Sequence, residues 1–335
     1  LVFVQPVMAQ TADAAASIHD GDIVVTARKR DESLISVPVV VGAQNAETLA
    51  RYKADDLGKI GELTPTVIIG TYKANGGGSI AIRGISSPAN QTGFEQAVSG
   101  ALDGVQTSNG RIAQLGFFDV QQVEVLKGPQ ALFFGKNSPA GVISVHTADP
   151  TPSLEVAART SYEFVANELT SEASVSGPLS ESLGARLAIR YRKMDGWMRN
   201  LAQPMTNPFF TATAPIGASQ LPGTADPRPG DEEFLGRVTL AYDPSDDFKA
   251  KLKLFGAWSK DAGAGTASQN IGPCTGPNPR VSGTADPYGE CVIDNHTTVG
   301  DVPETIGRTM KGISQDGRAR GKLSAFISSL ALDKT

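Results

Sequence analysis

The sequence has no run of about 18 apolar residues, although 40% of its 335 residues are hydrophobic. A transmembrane helix needs about 20 such residues, so none is expected. The strands of a transmembrane β-barrel alternate apolar and polar side chains, so a barrel stays possible. A basic excess is also lacking, since 30 basic residues face 35 acidic ones and the formal net charge is −5. Binding to nucleic acid through a basic face is therefore not expected.

Cysteine is nearly absent, with Cys274 and Cys291 as its only two occurrences. Two cysteines so far apart cannot build a metal site of the CxxC type. A local disulfide in an oxidising compartment is favoured over two free thiols.

Catalytic motifs are missing as well. HExxH and GxSxG do not occur, and the three histidines are scattered along the chain. The segment from Gly128 to Lys136 ends like a phosphate-binding loop, but that loop needs glycine where Gln130 stands and serine or threonine where Asn137 stands. We therefore expect no enzyme, with no catalytic residue, no metal ligand and no cofactor.

The N-terminal 32 residues divide into three parts. Residues 1–9 resemble the end of a secretory signal peptide with cleavage after Ala9, and the missing initiator Met suggests an incomplete reading frame. Residues 10–21 are small and polar, and residues 10–32 as a whole are predicted to be a disordered N-terminal segment. Within them lies the β-branched run Asp22–Ala27, which on a flexible tether could add as a strand to a partner's sheet edge. The alternative is an edge strand of the chain's own first domain.

Residues 33–149 predict a small α+β domain with long loops. Its predicted elements are helices over 46–52, 54–63 and 130–134, and strands over 79–85, 101–106, 120–126 and 141–147. Asn45 is a candidate N-cap for the first helix.

Residues 150–335 alternate apolar and polar side chains in about six segments. Short turns at one end contrast with long loops over 200–230 and 261–317, a pattern typical of outer-membrane barrels. Aromatic residues also fall near the segment ends, as at membrane interfaces: Tyr162, Trp197, Phe234 and Trp258 by the long loops, Tyr242 and Phe248 by a short turn. A barrel is favoured over a soluble sandwich.

Four motifs resemble those of TonB-dependent outer-membrane receptors. Residues 123–145 (VEVLKGPQALFFGKNSPAGVISV) resemble the plug signature, and residues 82–85 and 102–105 resemble its IRG and DGV segments. Residues 22–27 resemble the TonB box. The resemblance implies an α+β plug domain followed by antiparallel transmembrane β-barrel strands in the bacterial outer membrane. The six strands are an incomplete part of the family's 22-stranded barrel, so the chain is expected to be a fragment.

The resemblance also implies roles for individual residues. TonB, driven by ExbB and ExbD, would bind Asp22, Ile23, Val24, Val25, Thr26 and Ala27. A second set of residues would form the plug structure and dock it against barrel charges such as Arg186, Arg190 and Lys251. This set is Arg83, Gly84, Asp103, Gly104, Glu124, Lys127, Gly128, Pro129 and Gly135. Ligand contacts are predicted at Tyr72, Asn75, Gln91, Phe94 and Arg111.

The predicted function is active uptake of a bulky, scarce nutrient, with a ferric siderophore as the leading class. The plug signature does not depend on the substrate, so import of a carbohydrate or another organic compound is the alternative. A surface adhesion barrel without transport is a third possibility, and it would have no need for a TonB box.

Overall fold

The structure is a computed structural model. It describes residues 23–26, 32–70, 78–87, 96–107, 114–115, 117–207, 220–224, 227–245, 247–261, 269–274, 276, 279–281, 284–285, 289–298, 300–301, 303–309, 317–318 and 320–334. No helix among these residues is long and apolar enough to cross a membrane.

The N-terminal half is the predicted α+β unit, called the plug below. Its elements are β1 (Val24–Val25), β2 (Glu32–Ser33), β3 (Val40–Asn45), α1 (Ala46–Arg51), α2 (Leu57–Leu63), β4 (Val67–Ile69), β5 (Ile80–Ile82), β6 (Ile85–Ser87), β7 (Val98–Leu102), β8 (Val105–Thr107), β9 (Val120–Lys127), α3 (Ala131–Phe134) and β10 (Gly141–Thr147).

A five-stranded sheet in the order β3-β9-β10-β7-β8 forms the centre of the plug, and β4-β5-β6 form a smaller sheet. Strands β10 and β7 are parallel, and the other pairs of the central sheet are antiparallel. Helix α1 begins where the Asn45 side chain accepts a hydrogen bond from the Thr48 N–H, as predicted, and Asp56 caps α2 in the same way.

Two segments predicted as single strands are hairpins. Residues 79–85 and 101–106 each turn at a residue–glycine pair, Arg83-Gly84 and Asp103-Gly104, with positive φ at both positions (53° and 81°, 47° and 81°). Two consecutive positive φ angles define the tight turn that matches strand twist, which is why glycine occupies the second place. The IRG and DGV segments are therefore hairpin turns.

The C-terminal half contributes six long antiparallel strands, called the wall below. They are β11 (Glu155–Glu163), β12 (Glu168–Ser180), β13 (Leu183–Met194), β17 (Asp231–Ser245), β18 (Phe248–Asp261) and β24 (Gly321–Lys334), paired in that order. The intervening loops carry two-residue strands, β14 (Arg199–Asn200), β15 (Met205–Thr206), β16 (Gln220–Leu221), β19 (Asn270–Ile271), β20 (Arg280–Val281), β21 (Thr284–Ala285), β22 (Gly289–Glu290) and β23 (His296–Thr297), and helix α4 (Glu304–Gly307). Cys274 and Cys291 form a disulfide within them.

The two faces of the wall differ as the alternation predicted. Leu187 and Ile189 are 46% and 43% exposed on the outward face, whereas Arg190 and Lys253 are buried on the inward face. The plug packs on that inward face, because Ala188, Leu235, Phe255 and Ala257 of the wall join the main hydrophobic cluster of the plug. Plug and wall thus share one core.

Candidate functional site

The N-terminal segment is docked on the plug, so the prediction of a free tether is wrong for its described residues 23–26. Strand β1 pairs with β2, and Val25 is fully buried in a second plug cluster with Leu126, Phe134 and Val142. The alternative reading, an edge strand of the chain's own first domain, describes the structure. Asp22 and Ala27 lie outside the described residues.

Three polar side chains on one face of the plug sheet contact this segment. The register of β9 and β10 places Glu124 opposite Ser144 and Gln122 opposite His146. These residues alternate with the apolar positions that face the main core. On their own face they are followed by Leu126 and Val142 of the second cluster, so this face is polar at one end and apolar at the other. We call Gln122, Glu124 and His146 the clasp.

The clasp bonds to the backbone edge of the segment. The Thr26 N–H donates to Glu124 Oε1 at 2.8 Å, and the Gln122 amide donates to the Val24 carbonyl at 2.8 Å. The Thr26 hydroxyl donates to Glu124 Oε1 at 3.2 Å and lies 3.0 Å from His146 Nε2. Side chains therefore occupy the positions that a neighbouring backbone strand would fill.

Glu124 is the centre of this arrangement. Its carboxylate is fully buried, accepts a further bond from Gln122 at 3.0 Å and lies 3.4 Å from His146 Nε2. Its second oxygen has no hydrogen-bond partner among the residues that the structure describes. A buried carboxylate with only part of its bonding capacity satisfied carries a desolvation cost, so the contacts to Thr26 weigh heavily in holding it there.

The second part of the site is the interface between plug and wall. Lys253 of β18 donates to the Asp103 carboxylate at 3.0 Å and to the Thr147 carbonyl at 2.9 Å. Asp103 also accepts from the Thr147 N–H at 2.9 Å. The DGV turn is therefore bonded both to its own sheet and to the wall.

Asp149, at the end of the plug, adds to this cluster. Lys253 Nζ lies 3.0 Å from Asp149 Oδ1, and Lys251 bonds to the other oxygen. Burial of the carboxyl works against ionisation, but the two ammonium groups outweigh it and hold the pKa of Asp149 below its usual value.

Two wall arginines contact the loop before β9. Arg186 binds Asp119 through two parallel bonds, at 2.6 and 2.9 Å. Arg237, which is 2% exposed, donates to the Phe118 carbonyl and stacks over its ring at 4.5 Å from the centroid. Forked and stacked contacts suit arginine rather than lysine.

The predicted docking residues differ in what they contact. Asp103 bonds to the wall, whereas Glu124 bonds to the N-terminal segment and Lys127 donates to the Pro65 carbonyl, both within the plug. Exposed Arg83 has no side-chain ion pair among the described residues. Gly84, Gly104, Gly128 and Gly135 have positive φ angles, and Pro129 precedes α3, so these five shape the plug backbone.

Sequence reasoning missed Asp119, Arg237 and Lys253 at the interface. The alternation of the wall strands was the signal for the last two, since both occupy inward positions. The ligand residues Tyr72, Asn75, Gln91, Phe94 and Arg111 all lie outside the described residues.

An α+β plug seated on the charged inward face of a long antiparallel wall defines a class of plug-bearing outer-membrane receptors. Residues 33–142 match the family described as TonB-dependent Receptor Plug Domain, so this part of the chain is a plug domain of the TonB-dependent receptors. That match covers the plug, and the wall strands agree with the fold of the solved relatives.

Among curated relatives, the pesticin receptor of Yersinia pestis is 29% identical over 308 residues, which cover 86% of this chain and 40% of the relative. The hemin receptor of Yersinia pestis is 28% identical and covers 56% of this chain and 26% of the relative. This chain therefore spans about 40% of the length of the pesticin receptor.

Solved structures show the same fold. The pyoverdine outer membrane receptor of Pseudomonas aeruginosa PAO1 superposes with a TM-score of 0.58 at 16% identity, covering 78% of this chain and 34% of that one. The ferric yersiniabactin uptake receptor of Yersinia pestis has a TM-score of 0.51 at 22% identity, covering 66% and 32%.

Proposed function

We propose that this chain is the plug and the first six wall strands of an outer-membrane receptor that takes up a ferric siderophore or a related iron chelate. TonB, energised by ExbB and ExbD, would drive uptake by binding residues 22–27. The observation that carries the proposal is the docked segment, because a strand held by side chains can be exchanged for a strand of a partner.

The bonding of Val24 and Thr26 supports this exchange. Their backbone groups bond to Gln122 and Glu124 rather than to β2. A partner strand would replace two side-chain bonds with a ladder of backbone bonds, and the β1–β2 contact is only two residues long. A passive adhesin needs no such exchangeable strand.

The names of the relatives support the substrate class. One curated relative is a receptor for hemin, and two structural neighbours are receptors for pyoverdine and ferric yersiniabactin. The long loops over 200–230 and 261–317 and the plug loops over 71–77 and 88–95 are the proposed sources of ligand contacts, together with Arg111.

The test uses the complete receptor in a host that lacks its own iron-chelate receptors. Growth under iron limitation is measured with ferric hydroxamates, ferric catecholates and hemin, and uptake of labelled oligosaccharides is measured in parallel. We expect at least one iron compound to support growth. Import of an oligosaccharide with no growth on any iron compound would establish the alternative substrate class.

The coupling is tested with Val24→Pro, which removes a strand N–H, against Val24→Thr, which keeps it. We expect Val24→Pro to abolish uptake while binding of the chelate to whole cells persists, and Val24→Thr to retain uptake. Full uptake by Val24→Pro would overturn the role of the segment.

A further inference from the structure

The outward face of the wall carries very few charges. Across the outward positions of its six strands, the charged residues are Lys193, Glu232, Lys260, Lys322 and Lys334. All but Lys334 lie at the end that bears the long loops. We call Lys193, Lys260 and Lys322 the outer lysine row.

The outer lysine row sits directly beyond the aromatic residues of the outward face. The register places Lys193 opposite Glu232, Glu232 opposite Lys260, and Lys260 opposite Lys322. The next outward-facing residues toward the middle of these strands, two positions and about 7 Å away, are the paired residues Tyr191, Phe234 and Trp258. Aromatic residues in such a band occupy the headgroup level of a bilayer, which puts the lysines among the headgroups themselves.

These lysines differ from the cations of the inward face. Lys253 and Arg186 are bonded to plug carboxylates, whereas none of the three outer lysines has an ion-pair partner within the described part of the chain. Glu232 accepts from the Tyr191 hydroxyl at 3.1 Å. An open groove of about 360 Å³ at this end is lined by Lys193, Lys260, Arg318 and Arg320 and also by the carboxylates of Asp195, Asp231, Glu232 and Asp261.

The two ends of the wall also differ in charge. Exposed residues at the short-turn end include the acidic Glu181, Asp243, Asp247 and Asp333 and the basic Lys249 and Lys334, so that end is acidic on balance, while the outward face at the long-loop end is basic. A basic row on only one side of the apolar band matches a leaflet that is rich in anionic groups on that side.

We propose that the outer lysine row binds phosphate groups of lipid headgroups in the leaflet at the long-loop end. This inference rests on the proposed function, because it requires the wall to face lipid. The outward direction of the three side chains argues for a lipid rather than a transported ligand. Lys260 and Lys322 face each other on neighbouring strands, which lie about 4.8 Å apart, so these two lysines can share one phosphate, while Lys193 lies beyond Glu232 on the other side.

The experiment measures binding of the purified complete receptor to lipid A that carries two phosphates, presented in maltoside micelles, and to the same lipid after phosphatase treatment. The variants are the triple Lys193→Gln, Lys260→Gln, Lys322→Gln, the matching triple to arginine, and Lys334→Gln as the control from the opposite end. Heat-modifiable migration on a gel reports that each variant is folded.

We expect the glutamine triple to bind the phosphorylated lipid at least about tenfold more weakly, since each basic residue near an anionic surface contributes substantially. The arginine triple and Lys334→Gln should bind like the parent, and Glu232→Gln should bind more tightly. Phosphatase treatment should remove the difference between parent and triple.

Binding of the folded glutamine triple within twofold of the parent, or equal binding of both lipid forms by the parent, would overturn the inference. Iron-chelate uptake by the same variants separates this from the proposed function. Normal uptake with no phosphate dependence removes only the lipid site, and phosphate-dependent binding without uptake removes only the transport function.

Discussion

Removal of the Glu124 carboxylate should release the N-terminal segment. In Glu124→Ala, the Thr26 N–H and hydroxyl both lose their acceptor, while the Gln122 bond to Val24 and the burial of Val25 remain. Hydrogen bonds to a charged group contribute about 1.5–3 kcal/mol each. The substitution also removes a buried oxygen with no hydrogen-bond partner in the described part of the chain, which offsets part of the loss.

The net change should therefore be about 2 kcal/mol in favour of the undocked segment, or roughly a 30-fold rise in its population. The assay is the rate at which a cysteine introduced as Val25→Cys reacts with a maleimide, because Val25 is fully buried in the docked segment and its reaction therefore follows the open fraction. Cys274 and Cys291 are joined in a disulfide and give no background.

Glu47→Ala is the matched control, since Glu47 forms an exposed pair with Arg51 on α1 and does not touch the segment. Its labelling rate should equal that of the parent. A labelling rate for Glu124→Ala within threefold of the parent, with the plug still folded by circular dichroism, would refute the clasp as the holding contact.

Three further predictions concern the plug and its interface. Lys253→Met should lower the free energy of separating plug from wall by about 3 kcal/mol, because it leaves Asp103 buried without its cation. The measurement is the denaturant concentration at which the plug becomes sensitive to protease. Lys249→Met, at an exposed position of the same strand, should not change that midpoint. Since the Asp149 pKa is below its usual value of about 3.9, the contribution of Asp149 to plug docking should be constant from pH 7 to about 5 and disappear as the pH falls through the lowered pKa. Protease sensitivity of the plug, measured at a series of pH values, tests this. A loss of docking that begins near pH 6 and is also seen in Asp149→Asn would contradict the assignment to Asp149. Gly141→Ala should destabilise the plug by about 2 kcal/mol or more, because φ is +153° and the new Cβ would lie 2.3 Å from the Leu126 carbonyl oxygen. Thermal unfolding measures the change. The control is Gly236→Ala, whose Cβ would meet no atom within 4 Å and which should cause no comparable loss.

The wall was predictable because its signal is local and repeated. Alternation along each strand assigned Leu187 and Ile189 to one face and Arg190 to the other without knowledge of any partner. The residue–glycine turns at Arg83-Gly84 and Asp103-Gly104 were visible as motifs, but their conformation requires two positive φ angles that hydrophobic patterning does not report.

The clasp was not predictable in the same way. It joins Thr26 to Glu124 across 98 positions, and a contact between a backbone N–H and a distant side chain leaves no period in the sequence. One trace was present, since Gln122, Glu124, Ser144 and His146 place polar side chains at alternate positions in two apolar strands. Such a polar face inside a core indicates that something must bond to it.

The two sets of contacts imply an order in which a pull on the N-terminus acts. Freeing the segment breaks a few side-chain bonds and exposes Val25, a cost of about 5 kcal/mol. Moving the plug as a whole would separate Lys253, Arg186 and Arg237 from buried partners, and each unpaired buried charge alone costs about 3 kcal/mol or more. The segment should therefore detach first while the plug stays bound to the wall. The plug itself should move only if ligand or water replaces its groups as hydrogen-bond partners of the wall cations.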